Sequence, residues 1–117
     1  METFDINKIQ LTIQSPHFKV NKELNNYLLS EIEKLGKTYN RIDKCEIVLR
    51  TIADKTINKS EVDIKLFIPG NLLFATAKES TFKLAGKKVF EDLEAQLSEF
   101  KEKISDTTIG IIDNEEE

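Results

Sequence analysis

The sequence has no tryptophan, one cysteine and one histidine among its 117 residues. A lone Cys45 has no partner for an intramolecular disulfide, so a reduced, cytoplasmic setting is expected. One histidine and one cysteine also exclude a clustered His/Cys metal site, and no metal or other cofactor is expected. Long apolar runs are missing as well. Nothing approaches the roughly eighteen consecutive apolar residues that span a bilayer. The amino terminus, METFDINKIQ, lacks the basic region and apolar core of a secretion signal. Finally, Asp106–Glu117 holds five acids and no base. Without that segment the net charge of −4 becomes about +1 for residues 1–105. The chain therefore reads as a nearly neutral domain with an acidic, disordered tail over residues 106–117.

What is present suits a soluble globular domain: 39% hydrophobic and 32% charged residues, without low-complexity stretches. Ile9, Leu11 and Ile13 alternate with polar residues, the period of a half-buried strand, and Pro16 ends the run. Asn21 is a candidate N-cap, followed by Leu24, Leu28, Ile32 and Leu35 at helical spacing, with Gly36 as a candidate C-cap. Cys45, Ile47 and Leu49 alternate again. A polar loop over residues 53–59 follows, then Val62, Ile64, Leu66 and Ile68. Pro69-Gly70-Asn71 is turn chemistry, since proline pre-sets φ and glycine accepts positive φ. Residues 72–77 return as a strand, and Ser80 or Thr81 opens a last helix. Its apolar stripe is Phe82, Ala85, Val89, Leu93, Leu97, Phe100 and Ile104.

The order is β-α-β-β-β-α, which predicts a two-layer α+β domain: a four-stranded sheet with both helices on one face. The opposite face would carry Glu46, Arg50, Glu61, Asp63 and Lys65 toward water.

No catalytic constellation emerges, and no enzyme is expected. His17 reads as a loop residue, because no second histidine or paired carboxylate is placed to orient it. Cys45 falls on the apolar side of its strand, as a small core residue does. Gly86-Lys87-Lys88 looks like a phosphate-loop ending, but the required first glycine is Thr81 and the stretch lies inside a helix. The informative feature is the lysines. Lys83, Lys87 and Lys88, with Lys78 just before them, crowd the start of the last helix, where the helix dipole disfavours cations. Lys34, Lys37 and Arg41 gather near the end of the first helix, where it favours them. The plain reading is a solubilising face; the functional one is a phosphate-facing patch.

Several stretches, in this order of elements, resemble the ribosome hibernation-promoting factor and ribosome-associated inhibitor family, also labelled sigma-factor modulation proteins. They are IQLTIQSPHF from Ile9, then Lys34 to Lys37 with Tyr39, Arg41 and Ile42, then CEIVLR. EVDIKLFIPGNLLFATAKE and FKLAGKKVFEDLEAQLSEFKEK complete the set. The resemblance covers about residues 8–104. It implies a fold similar to double-stranded-RNA-binding domains. It also implies a stress-responsive factor that binds the small ribosomal subunit through ribosomal RNA, rather than DNA or a membrane, and inhibits translation. Carried onto this chain, Lys34, Lys37, Lys101 and Lys103 match basic positions of the family pattern, with Arg41, Lys78, Lys83, Lys87 and Lys88 as basic neighbours. Two places depart from it. Glu94-Ala95 stands just before Gln96-Leu97 where Lys and Arg are usual, and Glu31 stands where a lysine is common. Fewer phosphate contacts follow, and the rival reading is a divergent member that serves as a protein–protein module without RNA binding. The absence of a second domain after residue 105 resembles the short form of the family.

Overall fold

A computed structural model describes the backbone of residues 2–6, 8–53 and 58–111, and the side chains of these residues other than Glu2, Phe4, Ile6, Asn58 and those after Lys101. The elements are β1 (Glu2–Ile6), β2 (Ile9–Gln14), α1 (Lys22–Thr38), β3 (Lys44–Ala53), β4 (Asn58–Ile68), β5 (Asn71–Glu79) and α2 (Phe82–Ile111). The β-α-β-β-β-α order expected from the sequence is β2 to α2. Its four strands form the body of the sheet, and β1 adds a fifth at the edge, giving the spatial order β1-β2-β3-β4-β5. β2 and β3 run parallel across the α1 connection, and every other neighbouring pair is antiparallel.

β1 escapes sequence reading because it is short and its turn carries no glycine. Ile6 pairs with Ile9, and Lys8 takes a left-handed φ of 68°, a conformation usually left to glycine or asparagine. The β4–β5 turn does follow its sequence. Gly70 has φ +76° after Pro69, and Ile68 pairs with Asn71.

Alternation decides the layers. Ile9, Leu11, Ile13, Cys45, Ile47, Leu49, Val62, Ile64, Leu66, Ile68, Leu73 and Ala75 are buried on one face of the sheet. Leu28, Ile32 and Leu35 of α1 and Ala85, Val89, Phe90, Leu93 and Leu97 of α2 complete the same core. Both helices therefore cover one face, and the other stays open. Burial pushes the Cys45 thiol far up, which keeps it protonated and unreactive. At one end Phe18 stacks on Phe82 with ring centroids 4.9 Å apart, tying the β2–α1 connection to the start of α2.

Helix ends follow local chemistry with one exception. Asn21 Oδ1 accepts the Leu24 N–H at 2.8 Å, and Thr81 Oγ1 accepts the Leu84 N–H at 3.2 Å. Asn21→Ala is expected to lower unfolding free energy by about 1 kcal/mol in urea denaturation, the usual worth of an N-cap. Gly36, by contrast, is not the C-cap: it is buried within α1, which ends at Thr38 with Tyr39 as its cap. The extra turn carries Tyr39 into the core, edge-on to Phe100 at 6.0 Å. α2 also continues to Ile111, beyond the boundary expected at residue 105, and residues 112–117 of the acidic segment lie outside the described residues.

Candidate nucleic-acid interface

α1 and α2 lie side by side and parallel. Tyr27 of α1 meets Phe90 of α2 edge-on at 6.3 Å, and farther along Tyr39 meets Phe100. Gly86 makes the approach close: a Cβ there would stand 3.2 Å from Tyr27 Cε2. The contact leaves a shallow groove of about 350 Å³ between the helices, lined by Tyr27, Glu31, Lys34, Lys87, Phe90, Glu91 and Glu94. Burial raises the Tyr27 hydroxyl pKa, and the charges of Glu31 and Glu91 raise it further. The hydroxyl stays protonated at neutral pH, able to donate a hydrogen bond to a phosphate oxygen.

The expected site residues divide into groups. Lys34, Lys37, Lys83 and Lys87 are exposed on the outer surface of the helix pair, and Arg41 is exposed in the connection after α1. Lys83 Nζ lies 5.8 Å from the centroid of the Tyr27 ring, and Lys34 Nζ is 3.0 Å from Glu31 Oε2. Both are surface interactions that a phosphate can displace at small cost. Lys37, Arg41 and Lys87 take no ion pair among the described residues.

The other expected cations stand elsewhere. Lys88 pairs with Glu79 at 2.7 Å; the hydrogen bond raises the lysine pKa and lowers that of the carboxylate. Lys101 donates to the Thr38 carbonyl at 2.6 Å, closing the carboxyl end of α1. Lys78 pairs in register with Glu61 on the open face of the sheet, so it does not join the lysines of α2. Lys103 lies on α2, with its side chain outside the described residues.

Acids interrupt the helix surface. Lys22, Lys34 and Lys37 of α1 are equalled in number by Glu23, Glu31 and Glu33, of which Glu31 pairs with Lys34. On α2, Lys83, Lys87, Lys88, Lys101 and Lys103 are outnumbered by Glu91, Asp92, Glu94, Glu99, Glu102 and Asp106. Because the helices are parallel, cations collect around Lys83 and Lys87 at one end and around Lys37 and Arg41 at the other. Glu31, Glu91 and Glu94 lie between.

The lone histidine takes an ordinary place. His17 is exposed in the β2–α1 connection, where Nδ1 accepts the Thr51 N–H at 3.4 Å. Among the described residues no group of three or more His, Cys, Asp or Glu side chains could hold a metal ion, and no helix is long and apolar enough to cross a membrane.

Comparison with known proteins agrees with this architecture. Residues 11–105 match the family described as Sigma 54 modulation protein / S30EA ribosomal protein. No curated protein matches the chain. Among solved structures, a ribosomal subunit interface protein from Coxiella burnetii is similar at 19% identity and TM-score 0.68, covering 78% of this chain and 96% of its own. The N-terminal domain of Protein Y from Thermus thermophilus is similar at 18% identity and TM-score 0.65, covering 83% of this chain and 99% of its own.

Proposed function

This chain belongs to the Sigma 54 modulation protein / S30EA ribosomal protein family, and from that premise we propose that it is a cytoplasmic, non-catalytic factor that binds the small ribosomal subunit. The outer surface of α1 and α2 meets ribosomal RNA, and the bound protein inhibits translation under stress. The observation that carries this reading is the placement of Lys34, Lys37, Lys83 and Lys87 on one exposed surface of two parallel helices. Such a surface positions cations against phosphates without reading sequence. Arg41 extends it at one end.

A second reading has its own support. Acids equal the cations along α1 and outnumber them along α2, and Glu91 and Glu94 stand in the groove itself. A protein–protein module that has lost RNA binding would have this balance.

Co-sedimentation with isolated small and large subunits separates the two. Saturable recovery with small subunits, and not with large ones, is the expected result. Absence from both pellets at low salt would remove ribosome binding from the account.

A further inference from the structure

The face of the sheet away from the helices is open, and it is not a uniformly polar surface. β5 reads Leu72-Leu73-Phe74-Ala75, apolar on both sides. Leu73 and Ala75 go under α2, so Leu72 and Phe74 emerge on the open face, 47% and 46% exposed. Only Leu84 is comparably exposed among the large hydrophobics of the described residues. Directly across from Leu72 is Phe67, with Lys44 Nζ 5.3 Å from the centroid of its ring. Directly across from Phe74 is Lys65. Opposed side chains on neighbouring strands lie within about 5.5 Å at Cβ, so rings and ammonium groups interleave here.

Beside Phe74 the sheet surface dips into a depression of about 340 Å³, edged by Thr12, Gln14, Val48, Arg50 and Lys65. Its centre is preorganised: Asp63 accepts hydrogen bonds from Arg50 and from the Thr76 hydroxyl. Those acids are already engaged, for Glu46 is also paired, with Lys44 at 3.1 Å. Lys65 and Lys78, along the two strands that carry Phe74 and its partner, have no ion pair among the described residues. Burial, then a hydrogen bond with Asp63 and its charge, also hold the Glu61 carboxyl above the usual range.

This composition selects among occupants. A second copy or another folded protein would have to bury Lys44, Arg50, Asp63 and Lys65 around two apolar side chains, whereas the centre of a protein interface is depleted of charge. An unpaired RNA strand needs what is here: aromatic faces for bases, unpaired ammonium groups for phosphates, and fixed hydrogen-bonding groups for base edges. We propose that the open sheet face is a second binding surface, for single-stranded RNA. One base stacks on Phe74, the next lies over Phe67 and Leu72, Lys65 takes the phosphate between them, and Lys78 takes a phosphate farther along β5 on the other side of Phe74.

This proposal stands apart from the helix-surface reading, and its test separates them. A ten-nucleotide oligouridine is titrated into the isotope-labelled full chain and followed by backbone amide NMR, with a double-stranded RNA of the same length as comparison. Shifts are expected to cluster on β4 and β5 around Lys65 and Phe74, for the single strand only. Phe74→Ala is expected to weaken that binding roughly 5- to 100-fold, the loss of one base stack, while Phe74→Trp retains it. Phe74 is nearly half exposed, so the variant is expected to fold, and its melting curve checks this. Shifts confined to α1 and α2, or a Phe74→Ala affinity within about twofold of wild type, would overturn the proposal. So would a concentration-dependent dimer abolished by Phe74→Ala with no effect of RNA, which would make the face a self-association surface.

Discussion

Phe90→Ala is expected to cost about 3–5 kcal/mol of unfolding free energy, a large part of the ~5–15 kcal/mol typical of small domains. Phe90 is 2% exposed and is among the largest fully buried side chains of the core. It lies where α2 faces both the sheet and α1, edge-on to Tyr27. Removing the ring deletes its buried apolar area, leaves a cavity, and ends an aromatic contact worth ~0.5–1.5 kcal/mol beyond area. The wall opposite cannot close easily, because Gly86 already brings α2 to within van der Waals contact of Tyr27. Urea denaturation measures the loss, and Phe90→Leu should restore part of it by filling most of the space. A cost below about 1 kcal/mol would mean that the helices repack freely and that their spacing is not fixed by this ring. The point bears on function, since Phe90 lines the same groove as Lys34 and Lys87.

Replacing Lys34, Lys37, Lys83 and Lys87 together by alanine is expected to weaken small-subunit binding on the order of a hundredfold or more near 0.15 M salt. Each phosphate contact releases condensed counterions and contributes about 0.7–0.9 to the slope of log affinity against log salt. Four lost contacts flatten that slope by roughly 3. All four side chains are exposed, and their present interactions are the Lys34–Glu31 pair and the Lys83–Tyr27 contact, so the fold should survive. Lys88→Ala serves as control. Lys88 is exposed on α2 but paired with Glu79, and its loss should leave the helix-mediated slope nearly unchanged. A loss from Lys88→Ala equal to the loss per lysine in the quadruple variant would show that charge alone, irrespective of place, governs the association.

Much of the fold was legible because its signals are local. The alternation in β2, β3 and β4, the caps at Asn21 and Thr81, and the Pro69-Gly70 turn each depend on neighbours within a few residues. β1 was not legible: its alternation is short, and its turn uses Lys8 at positive φ in place of glycine. The ends of the β3–β4 hairpin were also hidden, since Thr51, Lys59 and Ser60 are polar on both faces and erase the period that marks a strand. Gly36 misled because a buried helical glycine and a capping glycine are the same letter.

For the candidate site, the sequence shows the cations but not their tertiary partners. Lys88 with Glu79 and Lys101 with the Thr38 carbonyl are tertiary contacts that no helical spacing announces. Lys78 was different, because its face follows from strand parity: it shares the even positions of β5 with Leu72 and Phe74, away from α2. The same parity marks Phe74 as an exposed aromatic, a signal masked by the continuous apolar run around it.

The most direct test of the central claim is the salt dependence of wild-type binding to isolated small subunits. A slope of roughly −3 in log affinity against log salt is the result predicted for four lysine–phosphate contacts. Binding that is tight but insensitive to salt would contradict it, and would assign the helix surface to a protein partner instead of ribosomal RNA.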